Sequence, residues 1–450
     1  MKTKKISAFL LFAVFALSSF ALSGCFKENA SPSYKLQLEV WGVFDDSEFW
    51  NEINTQYTLK NTRVTKVSYR KVTSDPDAFE KELLEALVSG KGPDIIFIQN
   101  TWVPKYLNKI ASYPDPAPYL STYKNTFVDV VADNFIIDGN IYAFPLYCDS
   151  LALYYNKDLL NQAGIPSPPS TWQDVISQTK ILTKIDQYGN ISQSGIALGR
   201  SKDPAGINRA SDIVMMLMMQ SGSDMYDRTS KRASFEKSTG TVNAGQSALD
   251  FYTQFAKGNS EVYSWNSKMD YSVDAFRFGK TAMTINYAYL GDRLKKTDPK
   301  LNFSVAPVPQ LDINRKVTYA NYWGLGAIQN KQIPAGSTYT NNDRLKEAWD
   351  YIKFVTTKPQ SAEGFDPMKD YLTKSNRPAA RKDLADAQKD YEFIGVFAQQ
   401  AFYAKSWYQE DSAAIDDIFT EMIDNVASGG LTSSNALSIA ASRVNALGEE

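Results

Sequence analysis

Trp41, Trp102, Trp323 and Trp407 each lie in or beside a segment that reads as a loop, outside any apolar stripe. Trp50, Trp172 and Trp349 sit on helical patterns and read as core, and Trp265 fits either description. Flat rings in loops can stack on a ligand, and neutral or acidic neighbours can hydrogen-bond it. Such neighbours are present: the acidic Asp45 and Asp46 follow Trp41, and the neutral Asn100 precedes Trp102. The chain has no histidine, which removes the commonest general base and the commonest metal ligand. Carboxylates alone can run a glycosidase, but two acids at adjacent positions do not by themselves give the ~5 or ~6.5–9.5 Å separation that reaction needs. The pattern therefore points to stacking and hydrogen bonding before group transfer, and no cofactor is expected.

The elements that must hold these residues can be read from periodicity. Leu36 to Gly42 alternates like a strand; Phe49, Trp50, Ile53 and Tyr57 have helical spacing; Val64 to Val72 suggests a second strand. Phe79 to Leu87 reads as a helix ending at Gly90. Gly92-Pro93 is followed by the continuous apolar run Ile95 to Ile98, the mark of a buried parallel strand. A β-α-β-α-β order implies a parallel sheet covered by helices, with ligands at the carboxyl ends of its strands. Those ends carry Trp41 to Asp46 and Gln99-Asn100-Thr101-Trp102.

Further along, Ala152 to Asn156 is strand-like, and Ile181 to Ile196 reads as a hairpin around Gly189-Asn190. A calcium loop is excluded after Asp186 because its sixth place lacks glycine, and no metal site is expected. Met215, Met216, Met218 and Met219 read as helix core. Leu345, Ala348, Trp349, Ile352 and Val355 form an amphipathic stripe, and Asp416 to Leu447 reads as two helices broken at Gly429-Gly430.

The N-terminus is distinct. Lys2, Lys4 and Lys5 precede the uncharged run Ile6 to Leu22, which is shorter than the ~20 residues of a membrane span. Positive flank, apolar run and small residues describe a secretory signal. It is followed by Leu22-Ser23-Gly24-Cys25, which resembles the bacterial lipobox. That likeness implies cleavage after residue 24, lipid on Cys25 and a polar tether over 25–35. An ordinary signal peptide with an incidental cysteine, or an uncleaved anchor, is the alternative. Cys148 would then have no intramolecular partner, and it reads as a small buried hydrophobe. Without the three leader lysines the chain is near −5, which argues against nucleic acid as a partner. About 425 mature residues exceed one typical domain, so two lobes are expected.

Four phrases carry a resemblance to a known family. They are "GKGPDIIFI" from Gly90, "FPLYCDSLALYYNKDLL" with "STWQDV" after it, "FRFGKTAMTINYAYLGD" from Phe276 and "YWGLGAI" from Tyr322. In order and spacing the chain resembles the ABC-transporter solute-binding proteins of the maltose-binding type, extracellular family 1. The resemblance implies an α/β, two-lobed, periplasmic-binding-protein-like clamp of type II, with parallel-type sheets flanked by helices and an interlobe hinge. Lobe 1 would take residues 36–146 and 321–372, lobe 2 residues 147–320 and 373–450, with crossings near Tyr147, Ala320 and Thr373.

Transferred by motif position, the resemblance implies ligand contacts at Trp41, Asp45, Asp46, Asn100, Trp102, Asp149, Tyr287, Tyr289, Trp323 and Trp407. Helix capping is the alternative for Asp45 and Asp46, and hinge packing for Trp323 and Trp407. Gln99-Asn100-Thr101 stands where the maltose-binding pattern has charged residues, which argues against a maltodextrin. The implied protein is a monomer on the outer face of the cell membrane that passes a sugar, best an oligosaccharide, to ABC permease subunits. A secreted glycosidase, a glycan-binding adhesin and the same fold with a non-sugar solute are the alternatives.

Overall fold

The computed structural model describes residues 34–201, 206–238, 243–361 and 364–448. The leader and Cys25 lie outside the described residues. The first elements follow the periodicity closely: β1 (Leu36–Gly42), α1 (Glu48–Lys60), β2 (Val64–Lys71), α2 (Pro76–Val88) and β3 (Ile95–Gln99). The Asp75 side chain caps α2 by accepting from the Asp77 and Ala78 amides, and Pro76 opens its first turn.

β2, β1 and β3 pair in parallel, as the β-α-β-α-β order requires. Two later strands then join antiparallel: Trp323–Ala327 beside β3, and Phe144–Pro145 beside that. The sheet is therefore mixed, in the order β2, β1, β3, Trp323–Ala327, Phe144–Pro145. Register puts Trp323 opposite Gln99, the last residue of β3. A distant tryptophan is thus delivered to the strand end where Trp102 already lies.

The second lobe contains an antiparallel sheet in which Ala152–Asn156 lies between Met283–Asn286 and Phe303–Pro307. The expected hairpin is present as Lys184–Ile185 with Ile191–Gln193, but Ile181 belongs to the preceding helix Trp172–Leu182. Near the C-terminus Ser412–Ala427 and Ser433–Ala446 form the two helices expected around Gly429-Gly430.

One apolar core gathers residues from Tyr34 to Cys148 and from Ala320 to Ala404. A second gathers Leu151 to Tyr319 with Trp407 to Val444, and a small third group around Tyr154, Phe276 and Phe397 packs on its sheet. Core membership changes between Cys148 and Leu151 and between Tyr319 and Ala320. Past Thr373, Ala379, Ala380, Ala385, Ala401 and Ala404 still pack in the first core, while Phe393, Ile394 and Phe397 join the third group and Trp407 the second core. Between the cores Asp149–Ser150 runs antiparallel to Thr318–Asn321, which pairs in parallel with Ala404–Lys405. Trp265 is fully buried in the second core, as are Met215, Met216 and Met218. Cys148 is buried with a free thiol, and burial raises its pKa. Among the described residues no helix is long and apolar enough to cross a membrane.

Candidate functional site

A cavity of about 840 Å³ opens where the two cores face each other. Its first wall is aromatic: Phe44, Trp102 and Trp323, with Thr101, Gln99 and the α2 side chains Asp77 and Glu80. Trp102 and Trp323 meet edge to face at 5.0 Å between ring centroids, and Phe44 meets Trp323 the same way at 5.3 Å. Phe79 lies flat behind Trp102 at 6.2 Å. Packing on several sides holds the two indoles in place before any ligand arrives.

The opposite wall carries Arg209, Asp212, Met215, Tyr287, Tyr289 and Asp416. The strand Met283–Asn286 ends just before Tyr287, so its register against Ala152–Asn156 aims this corner at the strand crossing. Asp149 sits at that crossing and accepts the Ala288 amide on both oxygens, at 3.1 and 3.0 Å, and its neighbour Ser150 at 2.8 Å. Burial outweighs these amides and lifts Asp149 to about 7. The Tyr287 hydroxyl donates to Asp212 at 2.9 Å, and burial lifts Asp212 to about 6. Tyr289, the more exposed ring, donates to Asn208 at 3.0 Å.

Five of the expected residues line one space: Trp102, Asp149, Tyr287, Tyr289 and Trp323, with Thr101 beside Asn100 also in the lining. The Asn100 side chain itself turns away. Its amide donates to Ser406 at 3.0 Å and its oxygen accepts the Tyr322 amide at 3.2 Å, so it ties the loop down and borders a separate crevice. Trp407 borders the same crevice; its indole N–H donates to the Met215 sulfur, and its ring packs on Phe235 and Phe419 in the second core.

Trp41, Asp45 and Asp46 lie outside the cavity lining. Trp41 is packed in the first core, donating to Glu39 at 2.9 Å beneath the Arg70 guanidinium. Asp45 is buried between the Tyr371 hydroxyl at 2.8 Å and Arg377 at 2.9 Å. It acts through Arg377, which does line the cavity and lies 4.3 Å from the Tyr147 ring centroid. Asp46 points to solvent and pairs with Lys71 at 3.1 Å.

Periodicity gave no sign of Asp77, Glu80, Arg209, Asp212, Arg377 or Asp416, which all line the space. They come from four separate stretches of chain and carry no local motif. Carboxylates outnumber guanidiniums around the cavity, with Asp292 and Asp417 adding to the acidic side. Such a lining favours a hydroxyl-rich or cationic solute over an anionic one. Among the described residues no group of three acids or thiols is placed to hold a metal ion.

Two α/β lobes joined by crossing strands, with a walled cavity between them, define a solute-binding clamp. Residues 45–362 match the family model of bacterial extracellular solute-binding proteins, and the chain belongs to that family. Family membership places the protein outside the cytoplasm. The chain is 26% identical over 352 residues to the maltodextrin-binding protein MdxE of Bacillus subtilis (strain 168), covering 75% of each chain. It is 22% identical over 420 residues to the multiple sugar-binding protein of Streptococcus mutans, covering 91% of each. Among solved structures it is similar to the cyclic alpha-maltosyl-1,6-maltose binding protein of Arthrobacter globiformis. There the TM-score is 0.70 at 17% identity, over 92% of this chain and 99% of the other. The sugar-binding protein MalE of Xanthomonas citri matches with TM-score 0.70 at 18% identity, over 92% and 97%.

Proposed function

We propose that the protein is the solute-binding lipoprotein of an ABC importer and that its solute is an oligosaccharide. The observation that carries this reading is the pairing of a rigid Trp102–Trp323 wall with a facing wall of Tyr287, Tyr289, Asp149 and Asp212. A sugar ring has an apolar face that stacks on indole and a rim of hydroxyls that carboxylates and tyrosines can bind. Similarity to sugar-binding relatives supports the same ligand class. Ligand that touches both walls gains all its contacts only when the lobes are together, so binding shifts the open–closed equilibrium toward the closed form. The closed form would then dock on permease subunits, and ATP hydrolysis would take place on another subunit; the chain has no P-loop.

In this reading Cys25 carries lipid and holds a monomeric clamp on the outer face of the membrane, with residues 25–35 as tether. Lobe 1 would comprise the first core and lobe 2 the other two, hinged at the three short crossing strands. The role is capture, not catalysis.

A thermal-shift screen of mature protein with Cys25 replaced by serine tests the ligand class. Solute at a hundred times Kd adds about 2.7 kcal/mol of stability. Shifts with neutral oligosaccharides are expected. Silence across sugars together with a shift from a charged solute would overturn the sugar assignment, and sustained release of reducing ends from a glycan would overturn the non-catalytic role.

A further inference from the structure

Arg209 stands at the mouth of helix Ala210–Gln220 with φ 66°, ψ 25°, a left-handed conformation that non-glycine residues adopt only against resistance. Glycine or asparagine would hold this turn with less strain. Arg209 gains nothing for the fold by capping, since its side chain makes no hydrogen bond to the helix amides.

The strained turn instead presents the side chain to the cavity. The Arg209 guanidinium lies 5.3 Å from the ring centroid of Tyr287 and 5.6 Å from that of Tyr289. The two rings hold its plane on the second wall. One turn along the same helix, Asp212 lines the same space and accepts from the Tyr287 hydroxyl. Within this arrangement Arg209 Nε is shielded from solvent and makes no hydrogen bond. A buried donor without a partner costs stability unless something in the functional state accepts from it. Backbone strain and an unmet donor on one cavity residue are what a ligand-binding position shows when function overrides stability.

We infer that Arg209 is a specificity-determining ligand donor, and that Arg209 and Asp212 together take adjacent oxygens of the solute, the guanidinium donating to one and the carboxylate accepting from the next hydroxyl. This rests on the oligosaccharide reading and narrows it to sugars that turn a vicinal diol toward the second wall. Lysine at 209 keeps the charge over the tyrosines but loses the planar donor.

The test is calorimetric titration of wild type, R209K and R209G with the neutral sugar that stabilises wild type most, beside melting of the ligand-free proteins. R209K is expected to bind at least tenfold more weakly, with a ligand-free Tm within about 2 °C of wild type, since Arg209 is only partly buried, lysine keeps the charge over the two rings, and a small loss of stability moves Tm little in a chain this long. R209G is expected to lose as much affinity, and its Tm is expected to stay within the same range because glycine relieves the turn. A deoxy analogue of the sugar, lacking one hydroxyl of the diol, should bind wild type more weakly but R209K no worse than the parent sugar does. R209K binding within twofold of wild type would overturn the inference, as would R209G that melts several degrees lower with affinity intact. If wild type answers to a non-sugar solute only, the oligosaccharide reading falls, and the same titrations with that solute decide Arg209 by the same criterion.

Discussion

Lys105 reaches across the cavity mouth to Asp411, with Nζ 2.9 Å from Oδ2. Lys105 lies between Val103 and Tyr106 of the first core, whereas Asp411 caps the helix Ser412–Ala427 of the second. The same ammonium is 3.1 Å from Glu80. At another point on the cleft the Asn376 amide donates to Asp292 at 2.7 Å. The Lys105–Glu80 pair lies within the first lobe, whereas Lys105–Asp411 and Asn376–Asp292 join the two lobes, so in the clamp reading these two favour the closed state.

K105M should therefore weaken solute affinity about two- to fivefold, the range expected of partly exposed pairs worth up to about 1 kcal/mol. Salt should weaken wild-type binding more than it weakens the variant's, because only wild type has the pair to screen. Titration at 20 and 500 mM sodium chloride (about a fivefold difference in Debye length) checks both effects. Equal affinities at both salts for both proteins would remove Lys105 from the closure.

The tryptophans divide by location. W102A and W323A remove the stacking wall and should each lower affinity at least tenfold, in line with buried aromatic anchors worth 2 kcal/mol or more, approximately. W41F and W407F should bind within about threefold of wild type, because those indoles spend their N–H groups on Glu39 and Met215 inside the cores. Intrinsic fluorescence titration of the four variants separates the groups. Loss of binding in W41F alone would contradict the placement of Trp41 behind the sheet.

Asp149 predicts a pH dependence whose sign is set by burial. Its folded pKa, about 7, lies above the ordinary aspartate value, so the folded state holds its proton more tightly than the unfolded chain does. The benefit is complete below the unfolded pKa and is lost as pH rises through about 7. Stability of the wild type should fall from pH 4 to pH 7 through this group, by a few kcal/mol at most, roughly. Asp212, raised to about 6 for the same reason, adds in the same direction. D149N should flatten the slope over that window in urea-melt series, while the Asp212 share remains. An unchanged slope would mean that Asp149 stays ionised behind its amides.

Gly324 has no room for a side chain. A Cβ there would stand 2.5 Å from the Phe144 carbonyl oxygen and 2.7 Å from the Phe135 ring. Backbone on one side cannot rotate away, so G324A should cost about 1–3 kcal/mol. Because Trp323 immediately precedes it, the variant should also bind solute more weakly at temperatures where it is fully folded. Melting and titration on one preparation check this; a Tm equal to wild type would mean that the strands part without penalty.

Cys25 predicts where the protein is found. C25S expressed in a bacterium that processes lipoproteins should move from the membrane fraction to the soluble extracytoplasmic fraction, with solute affinity unchanged. Two acyl signals are needed for stable anchoring, so a partial shift is not expected. Equal fractionation of C25S and wild type would overturn lipidation, leaving an ordinary signal peptide if both are soluble and an uncleaved anchor if both stay in the membrane.

What the sequence determines by itself is local. Alternation and apolar runs place β1, β2 and β3, helical spacing places the middle of α2 from Phe79, though not its start at Pro76, and the absence of histidine narrows the chemistry. The loop tryptophans were legible as a set, because they fit no stripe. Which of them face a ligand was decided only by tertiary structure. Trp323 reaches Trp102 through a strand register formed between segments far apart in the chain, and Trp41 is carried to a packed face by the two-residue pleat of β1. Arg209, Asp212, Arg377 and Asp416 share a cavity for the same reason. Their proximity comes from two cores docking along crossing strands, and a contact made by docking leaves no periodic trace in the residues that make it.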